Sequence, residues 1–165
     1  MTRFLTVTLQ TRGVRCRARL LDEEAPRTAA AIWNALPLSG QVYHGKYARN
    51  EIYNLVPAFA QVEPGRENTT VTPIPGDLCY FAFTADDLAT PSHGYGADEG
   101  PRELQTVIDL AVFYGRNNLL LNGDVGWVPG NVFATVVDGL DEFAAACQDI
   151  WMGGARGETL TFDRG

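Results

Sequence analysis

The chain has 165 residues and a formal net charge of −7 at pH 7, with 20 acidic against 13 basic side chains. This length suits one domain, so we expect a single domain over residues 1–165. The negative charge argues against nucleic acid or an anionic membrane as a partner. No stretch approaches the roughly 18 consecutive apolar residues of a membrane-spanning helix.

The three cysteines, Cys16, Cys79 and Cys147, lie apart from one another, each inside an apolar pattern. An odd number of scattered cysteines is typical of buried, reduced thiols, and no secretory signal is visible at the first residues. We therefore expect a cytoplasmic protein. The two histidines are not spaced like metal ligands relative to the cysteines, so the sequence predicts no metal site and no cofactor.

Two amphipathic strands are predicted at the start of the chain. Apolar and polar side chains alternate from Arg3 to Gln10 and again from Val14 to Leu20. Alternation with one polar face predicts an antiparallel pair. A helix is predicted to follow, with Pro26 at its first position and Pro37 just beyond its end.

The middle of the chain alternates between strands and long loops. Strands are predicted at Gly40–Lys46, Glu51–Leu55, Gly76–Phe83 and Leu104–Gly115. The segment from Thr84 to Arg102, which carries His93 and Tyr95, is predicted as a long loop. Loops of this length in a compact domain are often functional, and the sequence leaves open whether this one closes over a ligand.

The C-terminal part predicts a strand, a helix and a closing strand. Val132–Val137 is a β-branched apolar run, and Asp138 is in place to cap a helix that begins at about Leu140. The last strand is predicted at Glu158–Phe162. With about eight strands and two helices, the chain is predicted to be mainly β, a closed β-barrel with two capping α-helices.

Several short motifs are spread along nearly the whole chain. They are Ala-Pro-Arg-Thr (Ala25–Thr28), Leu36-Pro37, Pro75-Gly76-Asp77, Phe-Tyr-Gly-Arg-Asn (Phe113–Asn117) and Gly-Asn-Val-Phe-Ala (Gly130–Ala134). Together they resemble a family of uncharacterised bacterial cyclophilin-like proteins, known as a domain of unknown function. The resemblance implies a cyclophilin-like barrel whose activity is unassigned.

The stretch Trp127–Phe143 resembles, more distantly, the C-terminal part of the cyclophilins, the barrel-shaped prolyl isomerases. In those enzymes an arginine donates a hydrogen bond to the prolyl nitrogen and so weakens the amide resonance that opposes rotation. The family's Phe-His-Arg stands where Tyr43-His44-Gly45 is found here, so the arginine position is Gly45. The candidate catalytic residue is therefore Arg49, with Lys46 as an alternative.

Seven further residues are predicted to line a binding cleft, three of them by resemblance to the cyclophilin pocket. They are His44, Glu51, Phe113, Tyr114, Arg116, Trp127 and Asn131. Arg49 and Glu51 are two positions apart, so we expect them on one strand face, either gripping a polar ligand or forming a surface ion pair. Structural roles stay open for the others, such as barrel filling for Tyr114 and a turn for Asn131.

Three functions remain in competition at this point. The favoured one is binding of, or action on, a small polar molecule or peptide in a cleft beside the barrel. The alternatives are a prolyl isomerase with a non-standard arginine, and a non-catalytic interaction module, for example a homodimer. Arg49 in one pocket with Phe113 and Trp127 would favour the isomerase. A deep pocket that joins four polar residues would favour the small molecule: His44, Arg49, Glu51 and Tyr114.

Overall fold

The structure, a computed structural model, describes residues 1–88 and 106–165. It is mainly β, as the sequence predicts. In the described part of the chain the strands are β1 (Phe4–Leu9), β2 (Val14–Leu20), β3 (Leu38–Gln41), β4 (Tyr43–His44), β5 (Glu51–Pro57), β6 (Thr69–Thr70), β7 (Asp77–Thr84), β8 (Thr106–Phe113), β9 (Leu121–Asn122), β10 (Gly126–Trp127), β11 (Gly130–Asp138) and β12 (Thr159–Arg164). The helices there are α1 (Pro26–Ala35), α2 (Ala85–Leu88) and α3 (Leu140–Gly153). The two predicted helices are α1 and α3, and the short α2 was not predicted.

One large sheet contains most of the strands. Its hydrogen-bonded order is β3-β12-β1-β2-β11-β7-β8-β5-β4, with β6 added to β11, while β9 and β10 pair separately. The path ends at β3 and β4, which do not pair with each other, so the closed barrel expected from the sequence is not confirmed. These two end strands are separated in the chain by Val42 alone. β3 also lies close to β5, since a Cβ on Gly40 would be 3.2 Å from the carbonyl oxygen of Leu55.

One face of the sheet forms the main core. On β1 the alternate residues Leu5, Val7 and Leu9 are fully buried, as the period-two pattern predicts. The apolar stripes of the two long helices, including Ile32 of α1 and Phe143 of α3, pack into the same cluster. The three cysteines are free and buried, as expected.

The opposite face of β5, β7 and β8 is also buried, in a second cluster that we call the outer core. Its members are Leu21, Ala48, Tyr53, Cys79, Phe81, Ala111, Phe113, Leu120, Val128 and Val132. Successive residues of one strand therefore enter different cores, which accounts for the nearly continuous apolar sequence of β7 and β8. The segments that carry Ala48 and Leu120 fold over this face and exclude water from it.

The two long helices begin in different ways. The carboxylate of Glu67 caps α1 from a distant loop, accepting from the backbone N–H groups of Arg27 at 3.2 Å and Thr28 at 2.8 Å. The predicted cap of α3 is wrong, because Gly139 occupies the N-cap with φ 79° and no side chain bonds there. A side chain at this position would clash, since a Cβ on Gly139 would be 2.9 Å from the carbonyl oxygen of Arg15.

The predicted loop from Thr84 to Arg102 begins in the structure with the end of β7 and with α2. Its remainder, with His93 and Tyr95, lies outside the described residues. Among the helices that the structure describes, none combines the length and the apolar character required to cross a membrane.

Candidate functional site

A cleft of about 450 Å³ lies between α3 and the segment Gly45–Asn50, which we call loop 45–50. We call it the α3 cleft. The residues that line it are Gly45, Lys46, Tyr47, Arg49, Asn50, Tyr114, Gln148 and Trp151. Two of the predicted site residues, Arg49 and Tyr114, therefore share one cleft, although they are far apart in the chain.

His44 binds the phenol of Tyr114 at the edge of this cleft. The distance from His44 Nε2 to Tyr114 Oη is 2.5 Å, and that from Nδ1 to the carbonyl oxygen of Gly45 is 2.8 Å. Because the carbonyl can only accept, Nδ1 carries the proton, and Nε2 of the neutral ring accepts from the Tyr114 hydroxyl. The indole of Trp151 lies against the same imidazole, with ring centroids 4.9 Å apart.

The protonation of this pair follows from its surroundings. Burial lowers the pKa of His44, and the hydrogen bond to the Gly45 carbonyl offsets this only in part. Burial, assisted by Cys147, raises the pKa of Tyr114 to about 12. Near neutral pH the ring is therefore uncharged and the phenol keeps its proton. Such a hydrogen-bonded pair is suited to accepting or donating a proton at a bound ligand.

Arg49 lies before β5, in a left-handed backbone conformation with φ 83°. Its side chain is exposed and lines the α3 cleft. The expected sharing of a strand face with Glu51 is not met, because the backbone has not yet entered the strand at residue 49. Within residues 1–88 and 106–165 no ion pair joins Arg49 to a carboxylate. Lys46 of the same loop adds a second cationic residue to the lining.

Glu51 lies in the outer core, where its exposed fraction is 6%. It is joined there by Asp109 of β8, also 6% exposed, whose Oδ1 has no hydrogen-bond partner among the described residues. Burial raises the pKa of Glu51 to about 8. The pKa of Asp109 is raised well above its ordinary value by burial and then by Glu51. We call these two residues the acid pair.

The predicted aromatic pair does not line one pocket. Phe113 is fully buried in the outer core, whereas Tyr114, the next residue, turns towards the main core and the α3 cleft. Successive residues of an extended chain point in opposite directions, so the two rings are separated by the sheet. Arg116 is exposed, and its carbonyl oxygen accepts from Nδ2 of Asn50 at 2.7 Å.

Trp127 and Asn131 belong to a different cleft, of about 440 Å³, which we call the Trp127 cleft. Trp127 is 59% exposed, and the stacked rings of Phe81 and Phe83, 5.7 Å apart, lie in the same cleft. Asn131 is 4% exposed and fixed by three bonds: its Nδ2 donates to the Gly65 carbonyl oxygen and the Thr28 hydroxyl, and its Oδ1 accepts from the N–H of residue 67. Asn131 thus connects the loop that contains Gly65 and Glu67 to Thr28 of α1.

Some residues of these sites were missed in the sequence. Trp151 was assigned to no site because it meets His44 only through the packing of α3. Asp109 was passed over inside an apolar strand, although an acid between Ile108 and Leu110 is itself a signal, since a charge in a buried strand requires an explanation.

The comparisons with known proteins give a family and a structural neighbour, and they leave the chemistry open. The family model described as "Protein of unknown function (DUF3830)" matches residues 7–162. The chain belongs to this family. No curated protein matches it.

Among solved structures, the DUF3830 chain is similar to "Structure of McbB in complex with tryptophan", with a TM-score of 0.60 and 18% sequence identity. The match covers 97% of this chain and 44% of that one, so the chain spans less than half of that protein's length. At this identity the likeness concerns the fold alone. Membership of a family of unknown function is thus confirmed, and neither comparison supports the more distant resemblance to cyclophilins.

Proposed function

We propose that this protein binds a small polar molecule with an anionic group, such as a carboxylate, in the α3 cleft. The observation that carries the proposal is the 2.5 Å hydrogen bond between His44 and Tyr114, beside a cleft that Arg49 also lines. An arginine, a phenol and a neutral imidazole form a set of groups that can hold and orient a ligand. No described acid neutralises Arg49, so its charge is available to an anion.

Each part of the cleft contributes a different interaction. The planar guanidinium of Arg49 suits a carboxylate, to which it can donate two parallel hydrogen bonds. The indole of Trp151, 56% exposed, offers an apolar surface to the body of the ligand. If the bound molecule also reacts, His44 and Tyr114 are the residues that exchange a proton with it, by general acid–base catalysis.

We also propose that the sheet is a barrel of the cyclophilin type, closed through β3 and β4, and that the protein works in the cytoplasm. Support for the closure comes from the single residue between the two end strands and from the approach of Gly40 to Leu55. Support for the compartment comes from three cysteines that remain free, as is usual where thiols are kept reduced.

The isomerase alternative is less well supported. Arg49 and Trp127 line different clefts, and Phe113 lies in neither. A cyclophilin-like mechanism needs the arginine beside the apolar pocket that holds the proline ring. Here the position of the family's arginine is Gly45, and the Glu51 carboxylate already occupies the adjoining space.

The interaction module is the second candidate, and one feature favours it. The segment around β9 and β10 exposes Leu119, Leu121, Val125 and Trp127 by 44, 41, 53 and 59%. Trp127 and Leu121 are directly paired across the two strands, so their side chains lie on one face. An exposed apolar group of this kind beside a cleft is typical of a surface that binds a peptide or a second copy.

A ligand screen with matched variants tests the proposal. We expect some small carboxylates to raise the melting temperature, since a ligand at 100 times its Kd stabilises by about 2.7 kcal/mol. Arg49→Ala and Tyr114→Phe should abolish that stabilisation, and Trp127→Ala, which alters the other cleft, should keep it. If only Trp127→Ala abolished the rise in melting temperature, the proposal would be overturned and the second candidate favoured. Acceleration of X-Pro isomerisation that requires Arg49 would restore the isomerase.

A further inference from the structure

Loop 45–50 has two sides, and each meets a different part of the molecule. On one side it supplies five of the residues that line the α3 cleft: Gly45, Lys46, Tyr47, Arg49 and Asn50. On the other side it covers Glu51 of the acid pair. A Cβ on Gly45 would be 2.6 Å from Oε2 of Glu51, and the Gly45 N–H donates to the Glu51 carbonyl oxygen at 2.7 Å. Ala48 of the loop is itself buried in the outer core.

The acid pair lacks the partners that buried carboxylates ordinarily have. None of the ion pairs within residues 1–88 and 106–165 involves Glu51 or Asp109. Oδ1 of Asp109 is buried with no hydrogen bond to a described residue. Ionising a carboxyl in such surroundings is strongly unfavourable, so the closed loop favours the protonated acids.

We infer that loop 45–50 is a pH-sensitive wall of the α3 cleft, held closed while the acid pair is protonated and released when the pair ionises. The inference adds regulation to the proposed binding site and rests on that proposal for its functional meaning. Opening would let water reach both carboxyls and would move Arg49 and Lys46, the cationic residues of the cleft.

Other titratable groups lie near the acid pair on loop 45–50 and on β7. Tyr47 of the loop lies near both carboxyls, because each of them raises the pKa of its phenol, after burial. From β7, Cys79 lies near both carboxyls, and Asp77 lies near Cys79. Burial is again the main reason that the pKa of the Cys79 thiol is raised well above its ordinary value. Each of these neighbours is neutral or anionic, so none of them favours ionisation of the pair. The cationic residues of the loop, Lys46 and Arg49, are exposed and line the α3 cleft.

Hydrogen exchange of loop 45–50, followed by mass spectrometry without any ligand, tests the inference. If opening of the loop releases one proton, the equilibrium constant for opening rises by about tenfold per pH unit. This holds at pH values below the pKa that the carboxyl has in the closed loop. We expect such a rise between about pH 6.5 and 8, after correction for intrinsic exchange, a range above the ordinary titration of histidine. Glu51→Gln should reduce the rise, and the double variant E51Q/D109N should abolish it. Glu23→Gln, an exposed acid, should leave it unchanged.

An equal rise in the wild type and in E51Q/D109N would overturn the inference, and so would a loop whose exchange does not depend on pH. If the double variant does not fold, Glu51→Gln alone decides, because an unreduced slope in that variant excludes Glu51, the acid that Gly45 contacts, and so overturns the inference. The proposed function fails separately. If loop opening depends on pH but ligands bind independently of Arg49 and Tyr114, the proposed binding site is overturned. The inference that the loop responds to pH is then kept.

Discussion

The Glu51 side chain occupies the space into which a side chain on Gly45 would extend. A Cβ at residue 45 would be 2.6 Å from Oε2 of Glu51 and 2.9 Å from its Cβ, which is well inside van der Waals contact. The two residues are thus matched, and the glycine is required by the acid rather than by a special backbone angle. This explains why residue 45 has no side chain.

Gly45→Ala should therefore destabilise the protein by about 1–3 kcal/mol, the usual cost of an extra group in a packed site. Chemical denaturation measures the loss of unfolding free energy. Gly123→Ala is the matched control, since a Cβ on Gly123 would meet no atom within 4 Å. The double variant G45A/E51A should lose much less from the added methyl than G45A does. If the added methyl lowers the unfolding free energy equally with Glu51 present and in the Glu51→Ala background, the predicted clash between residue 45 and Glu51 is contradicted.

His44 should make the protein less stable as the pH falls. Burial lowers its pKa below the ordinary 6.5, so between 6.5 and the folded pKa the unfolded chain binds more protons. The unfolding free energy should therefore fall as the pH drops through this range, and His44→Gln should remove that part of the dependence. Denaturation at several pH values measures the difference between the two chains. An NMR titration that places the His44 pKa at or above 6.5 would refute the expectation.

Glu158 fixes the turn between β1 and β2. Its fully buried carboxylate accepts from the N–H groups of Thr11 at 2.7 Å, Arg12 at 3.0 Å and Thr159 at 2.9 Å, and from the Arg12 guanidinium at 3.1 Å. Burial would raise its pKa, but these donors outweigh burial and lower it. Its contribution to stability is present above the ordinary pKa and is lost as the pH falls through the lowered one.

Glu158→Gln should cost about 2–4 kcal/mol, because an amide replaces one accepting oxygen with a donor that faces other donors. Asp149→Asn is the matched control. Asp149 also binds Arg12, at 2.9 Å, but its side chain is 69% exposed, so its loss should cost less than about 1 kcal/mol. Urea denaturation at neutral pH compares the two. If the two substitutions lowered the unfolding free energy by similar amounts, the donors around Glu158 would not require its negative charge.

Asn131→Asp should destabilise the protein by about 2–4 kcal/mol without affecting ligands of the α3 cleft. The amide nitrogen donates to the Gly65 carbonyl oxygen at 2.7 Å and to the Thr28 hydroxyl at 3.1 Å. A carboxylate would place a buried charge against that carbonyl. Thermal unfolding, together with binding of any ligand found in the screen, separates the two effects. A variant of normal stability that lost binding would reassign Asn131 to a ligand site.

Features that depend on local pattern were predictable, and those that depend on contact between distant segments were not. The alternation in Val14–Leu20 gave β2 with its correct bounds, and Pro26 marked the first residue of α1. By contrast, β9 and β10 have two residues each, too few for a periodicity. The cap of α3 was misread because the approach of the Arg15 carbonyl, which requires Gly139, leaves no local signal.

The candidate site shows the same division. His44, Arg49 and Tyr114 could be proposed from their residue types and from resemblance. The structure brings Arg49 and Tyr114 to one cleft, with His44 bonded to Tyr114 at its edge. Their separation from Trp127 and Phe113 could not be foreseen, because it depends on which face of the sheet each strand presents. The acid pair was also hidden, since the electrostatic effect of Glu51 on Asp109 arises only when β5 pairs with β8.

The two ends of the large sheet are consecutive pieces of one chain, with only Val42 between β3 and β4. Exposed strand edges are where proteins most readily recruit other chains into aggregates. Here β3 is flanked by β12 and approached by β5, and the backbone N–H of Val42 is already bonded to the carbonyl oxygen of Glu158 at 3.0 Å. An intruding strand would find few free backbone groups to bind beside Val42. We therefore expect the arrangement to lower the tendency of this sheet-rich chain to form fibrils.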